Sequence, residues 1–181
     1  MKLVDLTLPF EPLESESLYS ELASEYKFLA SHKPKMRLLV TAEEHDYHLP
    51  EDFAQQLADL LPALNYQLCT NYNKTSFAQH LKEEQNDLPH VLEHIIIAIF
   101  MMIRNDYYQG ITLGTKDLAE IIVTYRNKDI AKKVAYLALD VLNCVIKDKC
   151  ERIDLIDKIK DLNGGHVLVW KKPKKIFAER T

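Results

Sequence analysis

With 181 residues, the chain is long enough for one domain with a substantial core and leaves little room for a second. Its 47% hydrophobic and 28% charged residues exclude a disordered chain, and only four glycines disfavour a glycine-rich phosphate cradle. The formal net charge of −4 provides no field to draw in nucleic acid, so the basic stretch at residues 171–181 reads as a solvated tail.

In chain order, "KLVDLTLPF" alternates like a strand and stops at Pro9, and "SESLYSELASEYKFLASH" has helical spacing with Ser15 or Ser17 as its cap. "MRLLVTA" reads as a strand. "EEHDYHLPEDF" is a polar connection, and Pro50, Glu51 and Asp52 open an amphipathic helix running through Leu57, Leu60 and Leu61 to Leu64. "NYQLCTNYN" predicts a short strand and turn, and "SFAQHLKEEQ" a short helix capped by Ser76. In "DLPHVLEHIIIAIF", Asp87 can cap a helix whose first turn accommodates Pro89 and which runs to about Arg104.

"NDYYQGITLGTKD" reads as a loop with two glycines and "LAEIIVTY" as a strand. "NKDIAKKVAYLALDVLNCVIKD" forms a long helix with an apolar stripe through Ile130, Val134, Leu137, Ala138, Val141 and Val145. "RIDLIDKIKDL" gives a further helix ending at Asn163, Gly164 and Gly165, and "HVLVW" a last strand. The expected class is α+β: residues 1–181 as a single domain, with a small mixed or antiparallel sheet and helices mainly on one face.

The apolar run at residues 95–103 is about half the roughly 20 residues that span a bilayer, so it predicts a buried core helix and no membrane association. Cys69, Cys144 and Cys150 are odd in number and lack CxxC spacing. The N-terminus lacks the charge and hydropathy order of a signal peptide. A reducing, cytoplasmic setting is expected.

His90, Glu93 and His94 spell H-x-x-E-H inside the most apolar segment. At about 100° per residue, positions i, i+3 and i+4 project towards one side of a helix. The pattern is the inverted zinc motif, in which two histidines bind Zn²⁺ and the glutamate, here Glu93, is the general base. A competing reading pairs Glu93 with a histidine, or leaves the polar groups on the solvent side while Val91, Leu92, Ile95 and Ile96 face the core. A catalytic zinc needs a third protein ligand, for which Asp129, Asp140 and Asp106 are the downstream candidates, and Asp129 is preferred. His45 and His48, spaced i, i+3 in a polar connection, are compatible with a metal or substrate contact.

The order of "LPALNYQLCTNYNKTSFAQHL", "PHVLEHIIIAIF" and "EIIVTYRNKDIAKKVAYLALDVL" resembles the amino-terminal domain of cyanophycin synthetase over about residues 60–145. The most specific part is "HVLEH" with its spacing to "VTYRNKDIA". The family usually shows a histidine where this chain has Gln67, and a glutamate where it has Ala98. The resemblance implies a domain that binds a polymer of aspartate and arginine and, in some members, trims it as a metal-dependent hydrolase. His90 and His94 would be the ligands and Glu93 the acid or base. Neither ligase domain of the synthetase fits in this chain, so ATP-driven synthesis does not carry over. The expected activity is zinc-dependent hydrolysis of a peptide or isopeptide amide. The alternative is a non-catalytic module that binds the polymer or a partner synthetase or ligase.

Overall fold

The structure, a computed structural model, describes residues 1–12, 17–67, 69, 77, 81, 87–104, 106–115, 117–147 and 152–164. Strands β1 (Lys2–Phe10), β2 (Lys35–Thr41), β3 (Gly110–Gly114) and β4 (Leu118–Thr124) form one sheet in the order β1-β2-β4-β3, with every neighbouring pair antiparallel. Period-2 alternation gives the central strands a buried face. Met36, Leu38 and Val40 of β2 lie opposite Val123, Ile121 and Ala119 of β4, and all six are almost fully buried.

That face is covered by α2 (Phe53–Leu60), α3 (Leu88–Ile103), α4 (Lys128–Ile146) and α5 (Arg152–Leu162), which share the main core. The other face carries a smaller cluster in which Phe10, Ile111 and Ile122 meet Tyr19 of α1 (Ser17–Glu25) together with Phe28 and Leu29. The chain is therefore α+β, with helices mainly on one side. α3 is the central element: fifteen of its sixteen residues are buried, as expected of a helix that is apolar on all sides. β3, β4, α4, α5 and a 3₁₀ turn at Pro62–Tyr66 surround it.

Asn127 caps α4, its side-chain oxygen accepting from the Ile130 amide at 3.0 Å, and the predicted stripe from Val134 to Val145 is buried. The helix predicted through Leu64 instead stops at Leu60. Leu61, the residue before Pro62, is pushed to φ −125° and ψ 74°, outside the helical region, and Pro62 then starts the 3₁₀ turn. Asn65 and Tyr66 belong to that turn and Gln67 follows it, so no strand starts at Asn65, while residues 68 and 70–73 of that predicted strand and turn lie outside the described residues.

The loop predicted around Gly110 and Gly114 is β3, because Ile111 and Leu113 alternate with Thr112 and pair with β4. Gly114, at φ 104°, makes the turn between the two strands. Phe77 and Leu81 are helical, whereas Ser15, Ser76, the "HVLVW" strand and the basic tail lie outside the described residues. Cys69 forms no disulfide, but Cys144 is disulfide-bonded, a departure from the reduced state expected of the cysteines. No described helix is long and apolar enough to cross a membrane.

Candidate functional site

The site is built on the first two turns of α3. Asp87 caps the helix by accepting from the His90 amide at 3.2 Å, and Pro89 occupies a first-turn position where its missing N–H costs no helical bond. His90 and His94 are one turn apart, so both rings project towards the segment that follows the Pro62–Tyr66 turn. The Cys69 thiol meets them there. Cys69 Sγ lies 3.4 Å from His90 Nε2, and His90 Nε2 lies 3.1 Å from His94 Nε2.

The candidate ligand atoms of these three residues all fall within 4.8 Å of one another, and all three residues are buried. Phe77 stacks on the His94 ring with centroids 3.7 Å apart. Gln67 brackets His94, with Oε1 at 2.5 Å from Nδ1 and Nε2 donating to the His94 carbonyl at 3.0 Å. Asp87 Oδ2 lies 4.0 Å from His90 Nδ1.

A thiolate and two imidazoles form a donor set suited to zinc. Tetrahedral coordination at ordinary Zn–S and Zn–N lengths separates sulfur from nitrogen by about 3.5 Å and nitrogen from nitrogen by about 3.3 Å. Two of the three separations, 3.4 and 3.1 Å, are near those values, and the three ligand atoms span up to 4.8 Å. Among the described residues, these three side chains form a donor set that could hold a zinc ion.

Glu93 stands apart from this group. On the helical wheel it lies about 60° from His90 on the side away from His94, hence about 100° from His94, and that turn directs it to the sheet. Its Oε2 accepts from Thr112 Oγ1 at 2.6 Å. Burial pushes its carboxyl up to about 7 against the lowering effect of the Thr112 bond. A Cβ added to Gly110 would meet Glu93 Oε1 at 2.7 Å, Cγ at 2.9 Å and Cδ at 3.0 Å. Gly110→Ala is therefore expected to cost about 1–3 kcal/mol in denaturant unfolding. Adding Glu93→Gln, which keeps the shape, should not relieve that cost, whereas adding Glu93→Ala should recover part of it. Equal losses in both backgrounds would show that the clash lies elsewhere.

The other sequence candidates are dispersed. Asp129 and Asp140 are exposed on α4, outside the Cys69–His90–His94 group. Asp106 pairs with Arg104 at 3.0 Å and Arg126 at 3.1 Å. His48 is exposed and the side chain of His45 lies outside the described residues. Ala98, one turn beyond His94, is fully buried. Sequence reading missed Cys69 as a partner of the histidines. Its only local signal was a lone cysteine in a polar segment, which carries no spacing information.

Residues 35–147, from the start of β2 to just past the end of α4, match the family model of the cyanophycin synthase-like N-terminal domain. This span is wider than the sequence resemblance at residues 60–145 and includes β2, whose Met36, Leu38 and Val40 lie in the main core. No curated protein matches the chain. Because the matched span is more than half of the 181 residues, the chain belongs to the cyanophycin synthase-like N-terminal domain family.

Proposed function

We propose that the protein is a zinc-dependent hydrolase of a peptide or isopeptide amide, with Cys69, His90 and His94 as metal ligands and Glu93 as the proton carrier. The observation that supports this most is the convergence of one buried thiol and two imidazole nitrogens within 4.8 Å of one another. Cys69 takes the third-ligand role that the sequence assigned to Asp129. A zinc ion held there supplies Lewis acidity, which polarises a carbonyl and acidifies water.

The remaining chemistry belongs to Glu93. Burial sets its proton affinity near neutrality, which suits a group that must both accept a proton and return it to a leaving amine. Because its carboxyl is turned to the sheet and bonded to Thr112, in this role it would first have to leave Thr112 and turn towards the metal group. A polymer linked through aspartate side-chain amides is the first substrate to test, given the family.

A second reading, a non-catalytic module with a structural metal that docks a polymer, synthetase or ligase, draws on the burial of all three ligands beneath Phe77. Two measurements separate the readings. Protein purified without a histidine tag should carry one zinc by mass spectrometry, and His94→Ala should lose it. Glu93→Gln should keep the metal and lose about 10²–10⁴-fold in amide hydrolysis. Metal retained with no hydrolysis by the parent would support the module. A metal-free parent would rule out the hydrolase and leave a binding module without a metal.

A further inference from the structure

We infer that Gln67 is a positioning residue that fixes the tautomer of His94, so that Nε2 presents its lone pair to the metal. The inference rests on the zinc reading above, and its basis is the logic of donors and acceptors. The His94 backbone carbonyl can only accept, so the Gln67 atom 3.0 Å from it must be the side-chain NH₂. The Gln67 oxygen is thereby directed at His94 Nδ1, 2.5 Å away. Two acceptors would repel at that distance, so Nδ1 carries the proton and Nε2 is the basic nitrogen.

Both residues are buried, so water does not compete freely for these groups, and reversing the tautomer would strand Gln67 Oε1 against a lone pair. Nε2 is also the atom that faces His90 Nε2 at 3.1 Å. The amide therefore does two things at once. It holds the ring plane from the Nδ1 side, and it anchors itself to the same helix through the carbonyl of the residue it orients. A side chain from the loop after the Pro62–Tyr66 turn thus serves as the outer partner of a ligand on α3, 27 residues away. Gln67 stands where the resembling family usually shows a histidine. Gln67 cannot ligate zinc through an imidazole, but it can set the basicity of one.

Outer partners of metal-bound histidines typically contribute 10–100-fold to affinity. Gln67→Met keeps the length and removes both polar atoms, and Gln67→Glu keeps an acceptor at Nδ1. Zinc affinity, measured by chelator competition, is expected to fall 10–100-fold in Gln67→Met and to recover at least partly in Gln67→Glu. Long-range ¹H–¹⁵N spectra of the metal-free parent should show His94 with a protonated Nδ1 and a pyridine-like Nε2, a readout that needs neither metal nor activity.

A protonated Nε2 in the parent, or equal zinc affinity in parent and Gln67→Met, would overturn the role of Gln67 while leaving the metal centre standing. A parent that binds no zinc would overturn the metal reading, and this inference with it. The spectrum of the parent keeps the test decisive even if Gln67→Met does not fold.

Discussion

Glu93→Gln is expected to stabilise the metal-free protein above pH 7 by up to about 3 kcal/mol, and to change its stability little near pH 4.5. Burial raises the folded carboxyl to about 7 from an ordinary value of 4.5. Between those values the folded chain holds a proton that the unfolded chain has released. Unfolding therefore sheds a proton, and raising the pH favours it. The stability associated with neutral Glu93 is complete below about pH 4.5, falls as pH rises through 7, and is then constant because both states are ionised.

Glutamine carries no charge to desolvate, and its amide oxygen can still accept from Thr112. The benefit should consequently grow across the pH window and level off above it. Denaturant midpoints of chelator-treated parent and variant from pH 4.5 to 8.5 would trace it, and a difference that does not change with pH would refute the buried-charge account. Greater stability combined with lost hydrolysis would also separate a proton-transfer role from a simple folding defect.

Ile96→Ala should cost about 2–5 kcal/mol, towards the upper part of that range. Ile96 is fully buried in the middle of α3, and that helix is enclosed by the sheet, α4, α5 and the Pro62–Tyr66 turn. A helix enclosed on every side cannot slide into the space left by a deleted side chain without opening a gap elsewhere, so the cavity persists. By contrast, Tyr136→Ala on the exposed side of α4 should fall within about 0.5 kcal/mol of the parent. Comparable losses at the two positions would mean that α3 is not the packing centre.

Much of the fold was legible because its signals are local. Asp87 announced the start of α3 through its short-range side-chain cap, the apolar stripe marked α4, and the runs "MRLLVTA" and "LAEIIVTY" marked two strands that pair in the centre of the sheet. β3 was not legible, because its two glycines are loop signals. Gly110 accommodates the bulk of Glu93 and Gly114 makes a turn, and both roles depend on neighbours the local pattern does not contain.

The site divides along the same line. The spacing of His90 and His94 by itself put two imidazoles on one side of a helix, since 3.6 residues per turn is a property of any helix. The tertiary structure decided everything that crosses between elements. Packing of the loop after the Pro62–Tyr66 turn against α3 brought Cys69 and Gln67 to the histidines, 21 and 27 residues away in sequence. Packing of β3 on α3 gave Glu93 its Thr112 partner and its raised proton affinity. Asp129 remained at the solvent-facing start of α4. Helical period is a backbone property that the sequence carries within one segment. Which segments meet depends on how the whole core closes, and no spacing along the chain records that.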